Sequence, residues 1–385
     1  MIYLDHNATT PLDPRVLEAM LPYLRERFGN PSSPYRTGRD AQEALERARR
    51  RMAECLGAVP DEIFFTSGGT ESDNLALRGV VRALDASGRH LVTSSIEHHA
   101  VFKTCRDLES RGFRVTYLPV NARGVVDIDA FRNSLDRETI LVSVMLANNE
   151  TGVIQPVEQI VELARARGIL VHTDAVQALG KLPLRFHDLG VDLASFSAHK
   201  IGGPKGVGAL YLKRGTPIRP LSTGGGHERG LRAGTENVAG IVGLSEATAL
   251  ACRAQGEEME RLRRLREKLE TELCASLDEV IVNGAAAPRV ANTANVCFKG
   301  VEGESIVLQL DLAGICVSTG SACTTGEPEP SHVLLSMGVD RLAAKSAIRF
   351  SLGKTTTNED IASTVPIVVE TVRRLRSISS VGARS

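Results

Sequence analysis

Apolar and polar positions over residues 60–215 alternate between two rhythms. Short, near-continuous apolar runs at 63–66, 90–94, 115–118, 140–146, 169–173, 193–197 and 207–212 predict strands, and residues 70–84, 101–110 and 157–167 between them carry helical period. Ahead of this region, residues 12–27 predict a helix that opens beside Asp13-Pro14, and residues 38–56 place Ala41, Ala44, Leu45, Ala48, Met52 and Leu56 on one helical face. Met1 to Asp5 reads as a short strand. Strands apolar on both sides, separated by helices, predict an α/β fold with a mainly parallel sheet covered on both faces. Ligands of such sheets bind outside the carboxyl ends of the strands. From Glu257 the pattern becomes a long amphipathic helix with Met259, Leu262, Leu265, Leu269 and Leu273 as its stripe, a bridge into a second domain. There, residues 294–298, 315–317 and 348–351 read as strands and 305–312, 331–337 and 358–378 as helices, with Pro366 predicted to kink the last one or delay its start.

Composition narrows the class. A chain of 385 residues is long enough for two or more domains. Lys+Arg 46 against Asp+Glu 46 gives zero formal charge, which argues against a general affinity for nucleic acid or an anionic membrane. The start, MIYLDHNATT, has neither the basic nor the apolar region of a secretory signal, and no apolar run is long enough to span a bilayer. Seven cysteines, odd in number and without CxxC spacing, predict reduced thiols in a cytoplasmic protein, not a disulfide framework or a zinc site.

Candidate chemistry gathers at strand ends. The run 193–197 leads through Ser197-Ala198-His199 to Lys200 and a glycine-rich turn; desolvation and nearby cations there would lower the lysine's pKa and make its amine a nucleophile, although a lysine dissolving into a loop reads the same way. FTSGGTES, residues 65–72, is a strand, a glycine turn and a helix start, which is either a phosphate cradle or an ordinary capped turn; it is neither a GxxxxGK[ST] nor a GxGxxG loop. Asp174 follows a buried strand and needs a cationic or hydrogen-bonding partner, such as a protonated pyridine nitrogen or, more simply, the N–H groups of a helix it caps. Glu97-His98-His99 offers a ring that stacks or shuttles protons, and Asn148-Asn149 offers amides for a ring oxygen or a carboxylate; a plain loop and a plain turn fit as well. Residues 318–331 have no apolar period and predict an exposed, mobile loop, where Cys323 among small polar residues suits a reactive thiol that travels. Arg349 sits in an apolar run and calls for an anionic partner, either a substrate carboxylate or an internal carboxylate.

Together these residues resemble the pyridoxal 5'-phosphate (PLP) enzymes of the aspartate-aminotransferase fold, fold type I. More narrowly, the chain is similar to cysteine desulfurases of the iron–sulfur-cluster and nitrogen-fixation type. The resemblance rests on YLDHNATTP, FGNPSS, FTSGGTESDN, EHHAV, NNETGV, HTDAVQ, SFSAHKIGGPKGVGALY, GGGHERGLRAGTEN, STGSACTTG, EPSHVL and IRFSLG in family order, from Tyr3 to about Arg376. It implies a large domain over 13–257 with a seven-stranded sheet, and a smaller α+β domain from 1–12 and 258–385 that carries the cysteine loop. Residue by residue, it implies that Lys200 forms the Schiff base with PLP, Asp174 pairs with the pyridine nitrogen, His98 stacks on the ring and Gln177 bonds its oxygen. Thr70, Ser197 and His199, with the Gly69 backbone, would hold the phosphate, and Thr235 would reach the phosphate of the neighbouring subunit in a homodimer. Arg349 and Asn149 would bind the substrate carboxylate, and Cys323 would accept sulfur from L-cysteine as a persulfide destined for an acceptor protein. Gly69 stands where the family more often has Ala, which implies a looser phosphate loop. A selenocysteine lyase, an aminotransferase and a non-catalytic sulfur carrier are the competing readings. No metal, nucleic acid or membrane is implied.

Overall fold

The computed structural model describes residues 1–319 and 329–382. Its strands, in chain order, are β1 (Ile2–Tyr3), β2 (Ile63–Thr66), β3 (His90–Ser94), β4 (Arg114–Leu118), β5 (Thr139–Ser143), β6 (Leu170–Asp174), β7 (Leu193–Ser197), β8 (Gly208–Leu212), β9 (Val280–Val282), β10 (Thr293–Phe298), β11 (Ile315–Cys316) and β12 (Ala347–Ser351). β2 to β8 form one seven-stranded sheet in the order β2-β8-β7-β6-β5-β3-β4. β4, β3, β5, β6 and β7 pair parallel, and β8 pairs antiparallel with both β7 and β2. Two antiparallel pairings in succession return β2 to the direction of the parallel set. The carboxyl ends of β2, β3, β5, β6 and β7 therefore share one edge, and the loops that follow them build the site.

Period-two alternation divides each strand between two apolar layers. Ile63, Phe65, Val92, Val142, Val171, Phe196 and Tyr211 face a core closed by Leu45, Met52 and Leu56 of one helix and Ile160 and Ala164 of another. Phe64, Leu91, Leu141, Leu193 and Leu210 face the other layer, with Leu77, Val80, Val101 and Cys105 from the helices Gly69–Leu84 and His99–Ser110. A separate apolar cluster joins Leu262, Leu265, Leu269 and Leu273 to β10, β12 and the last helix through Val296, Phe298, Ile348, Phe350, Val365 and Val368. Its sheet is antiparallel, in the order β12-β10-β9. The N-terminal residues belong beside it: β1 pairs parallel with β11, and Asp5 bridges to Ser351.

Four expectations need correction. The long helix begins at Val238, not Glu257, and runs to Ser276. Its first turns carry small and apolar residues all round, because they pack against the helices Pro14–Arg25 and Arg36–Leu56, so no single stripe marks them. β5 ends at Ser143, while Val144, Met145 and Leu146 are apolar because they are buried in the loop beyond it. The last helix starts at Asn358 and continues through Pro366 to Gly382. Buried Val365, Val368, Val369 and Val372 on both sides of the proline offset the lost backbone bond. Of the stretch 318–331 read as an exposed loop, residues 320–328 lie outside the described residues and only the ends need correction: Ser318 pairs with Arg349, and Pro330 and Ser331 are buried, with the Ser331 hydroxyl donating to Glu150 at 2.5 Å. Among the described residues no helix is long and apolar enough to cross a membrane.

Candidate active site

The loops beyond the shared strand edge enclose a cavity of about 380 Å³, within the range of small-molecule sites. Gly69, Thr70, His98, Asn149, Asp174, Gln177, Ser197, His199, Lys200 and Arg349 all line it. Thr235 does not; it is exposed, in a segment that runs outside this cavity. Cys323 lies outside the described residues.

Lys200 reaches the cavity because β7 ends in a single tight turn over Ala198–Lys200. Its ammonium donates to the carbonyl oxygens of Asn7 at 2.6 Å and Ala8 at 2.7 Å. Burial, and then the Arg349 cation, pull its pKa down to about 8, with Asp174 and Asp5 opposing. Asp174 closes β6, and its Oδ1 accepts the Val176 N–H at 2.9 Å. Among the described residues its other oxygen has no hydrogen-bond donor. Burial raises the carboxyl to about 6 against the pull of the Val176 N–H and Lys200.

His98 caps the helix His99–Ser110 by accepting the Ala100 N–H on Nδ1 at 3.2 Å, and this holds the ring over the cavity. The ring is exposed on its cavity side and surrounded by protein on the other. That burial, with Lys200 and the neighbouring His99 and His332, lowers its pKa to about 4, so the ring is neutral at pH 7. His99 turns away from the cavity and packs against His332, with ring centroids 5.2 Å apart. His199 bonds Thr9 Oγ1 through Nδ1 at 3.1 Å and is held down to about 4 by burial and Lys200.

The helix Gly69–Leu84 points its N-terminus at the same space, beside Ser197. First-turn N–H groups lack partners within their own helix and suit an anion. Glycine is required where β8 passes under this turn, since a methyl at Gly208 would stand 2.6 Å from Gly68 Cα and from Phe196 O. At Gly69 a methyl would meet Val176 Cγ2 at 2.8 Å, so an alanine there would require Val176 to shift.

Arg349 enters from β12, where burial requires partners for its charge. It donates to Asp5 Oδ1 at 2.8 Å and to the Asn149 carbonyl at 3.1 Å. Asn148 makes the turn that presents Asn149, bonding Ile96 O on one side and the Glu150 and Thr151 N–H groups on the other. Glu97 ties the loops after β3 and β5 together, accepting from Ser94 Oγ at 2.5 Å and from the Met145 N–H at 3.0 Å.

Several residues of this site carry no individual role in the sequence reading. Asn7 accepts from Lys200 and Gln177 on its carbonyl, and from Lys181 on its side chain. Lys181 also donates to Gln177 Oε1 at 2.6 Å, and burial beside Lys200 pushes its pKa well down. Asp73 is buried, and one of its oxygens has no hydrogen-bond partner among the described residues. Its carboxylate, that of Asp174 and the His98 ring converge within 4.8 Å of one another. Burial and the nearby Asp174 charge raise Asp73 well above the usual carboxylate range, because two carboxylates so close resist ionising together. The motifs YLDHNATT and TESDN held the signal for Asn7 and Asp73, but only the folded structure brings these residues to Lys200 and Asp174.

The donor set fits pyridoxal phosphate. An anion-seeking helix terminus with two hydroxyl side chains, a buried carboxylate with an open oxygen and an amine of depressed pKa line one cavity. The family model described as aminotransferase class-V matches residues 2–363. A cysteine desulfurase IscS from Dictyoglomus turgidum is 50% identical over 378 residues, 98% of this chain and 96% of that protein. One from Methanosarcina thermophila is 49% identical over 378 residues, 98% of this chain and 93% of that protein. A solved structure titled NifS-like protein superposes with a TM-score of 0.92 at 42% identity, covering 97% of this chain and all of the other.

Proposed function

The chain belongs to the class-V aminotransferase family and is a pyridoxal-phosphate-dependent cysteine desulfurase of fold type I, and from that premise we propose how its residues convert L-cysteine to L-alanine. Bound pyridoxal phosphate supplies an electron sink for the pair left at the substrate Cα. Gly69, Thr70, Ser197 and His199, which line the cavity, would hold the phosphate, Asp174 would accept the pyridinium N–H, His98 would face the ring, and Gln177 would bond the ring oxygen. Arg349 and Asn149 bind the substrate carboxylate, and Arg349 keeps Asp5 as its anchor behind. Lys200 would hold the cofactor, and its amine is the base placed to take the Cα proton; a pKa near 8 leaves part of that amine free at neutral pH.

The Cys323 thiolate attacks the substrate sulfur. The Cβ–S bond breaks, its electron pair stays with carbon, carbon takes a proton, and a persulfide remains on Cys323 for an acceptor protein. Thr235 completes the phosphate site of a neighbouring copy in a cytoplasmic homodimer, and residues 13–257 form the cofactor domain, with 1–12 and 258–385 as the domain that carries Cys323.

The observation that carries this reading is the convergence of Lys200, Asp174 and Arg349 on one cavity. The test compares sulfide and persulfide release from L-cysteine by the PLP-loaded protein and by Cys323→Ala. The wild type should turn over, and the variant should keep the cofactor's yellow absorbance but lose turnover. A variant as active as the wild type would remove Cys323 from the reaction.

A further inference from the structure

The helices Arg36–Leu56 and Val238–Ser276 run side by side in the same direction. Three contacts follow in register: Ala41 and Ala44 pack with Val238, Arg51 pairs with Glu246, and Cys55 lies beside Cys252. Both thiols are half-buried, so neither is sealed from solvent. Of the other described cysteines, Cys105 and Cys297 are buried, Cys274 is exposed and Cys316 is half-buried.

The charges around the pair make its members unequal. Arg51 and Glu54 face Cys55 from its own helix, and Arg253 faces it from the other, where Glu246 spans Arg51 and Arg253. Cys252 beside it and the two arginines lower the Cys55 thiol to about 7 against burial and Glu54. The Cys55 charge and burial raise the Cys252 thiol, and among the described residues no cation opposes them. Cys55, with Arg51 and Arg253 against it, is the member that ionises first, and Cys252 is its proton-bearing partner, the division of labour that thiol–disulfide exchange requires.

We propose that Cys55 and Cys252 are a redox modification site, closing reversibly into a disulfide between the two helices on reaction with a small-molecule disulfide of the oxidised-glutathione class. The Cys55 thiolate attacks one sulfur of the small disulfide, that S–S bond breaks, and one thiolate leaves. Cys252 then gives up its proton and attacks the Cys55 sulfur, expelling the second thiolate. Two protein thiols are oxidised, one small disulfide is reduced to two thiols, and the released protons go to those thiolates. The site is separate from the catalytic cavity, none of whose lining comes from either helix.

The experiment incubates the full-length, PLP-loaded protein with oxidised glutathione at pH 7.5 and maps its peptides without reduction, beside Cys55→Ser and Cys252→Ser. The wild type should lose the free thiols of Cys55 and Cys252, yield a peptide pair joined through these two residues, and regain both thiols in dithiothreitol. Cys252→Ser should accumulate glutathione on Cys55, and Cys55→Ser should form no link at Cys252. A second measurement follows alkylation of Cys55 by iodoacetamide, whose rate should fall as pH drops through about 7. A wild type that holds glutathione stably on Cys55, that joins either cysteine to a different one, or that keeps both thiols reduced would overturn the proposal. So would an alkylation midpoint near the ordinary thiol value.

Discussion

Removing the cofactor turns the depressed pKa of Lys200 into something directly measurable. An ordinary lysine titrates at 10.5 and Lys200 at about 8, a difference of about 2.5 units or ~3.4 kcal/mol against the charged form. At pH 8 about half of the Lys200 amine is unprotonated, against about 0.3% of an unperturbed one, a ratio of roughly 150. Trace acetic anhydride applied to the cofactor-free protein from pH 6 to 10.5, with the Lys200 peptide quantified by mass spectrometry, reads that midpoint. The signs of the neighbouring charges fix how it should move. Arg349→Leu removes the second-largest cause of the depression and frees Asp5, so the midpoint should rise; Asp174→Asn removes a supporting anion, so it should fall. Stability follows by linkage. The folded protein binds fewer protons here than the unfolded chain between about pH 8 and 10.5, so this residue's penalty is full below that window and is relieved as pH rises through it. A midpoint at 10 or above, or one unmoved by Arg349→Leu, would refute the reasoning, since burial and the guanidinium would then be having no effect on the amine.

Other consequences can be checked separately. Asp73→Asn removes a carboxyl that stays protonated over the range where Asp174 titrates, so the acid limb of pyridoxal phosphate affinity, followed by absorbance, should stay near the value of about 6 that burial gives Asp174. Glu228→Ala leaves the Arg49 guanidinium, now paired at 2.8 Å, buried without its carboxylate and strips the Phe65 N–H of its acceptor. A loss of about 3–5 kcal/mol in urea unfolding is the expected result. Gly208→Ala should destabilise the fold by about 1–3 kcal/mol and weaken cofactor binding in equilibrium dialysis, because the methyl displaces the Gly68 turn. Arg349→Lys should raise KM for L-cysteine about tenfold or more while leaving the cofactor spectrum unchanged, since a lysine cannot reproduce the two-pronged hold on a carboxylate.

The sequence by itself determined where most of the strands lie. Ile63–Thr66, His90–Ser94 and Leu193–Ser197 are the strands the apolar runs predicted, because a strand buried on both faces leaves no room for polar residues. It failed where apolarity had another cause, as at Val144–Leu146 beneath the cavity, or where a helix is buried all round, as from Val238. Lys200, Asp174, His98 and Arg349, which line the cavity, stood out in the sequence by their places beside apolar runs, but each also had an ordinary reading there, and only the ordered family motifs pointed to one site. Only the tertiary structure decided what surrounds them. The acceptors of Lys200 are main-chain carbonyls of Asn7 and Ala8, which every residue possesses, so no letter of the sequence marks them. The partner of Arg349 is Asp5, at the opposite end of the chain, and the neighbour of Asp174 is Asp73, on a helix after a different strand. The pKa of Lys200 is set by burial and by the sum of charges from these distant segments, quantities that exist only once the chain has closed around the amine.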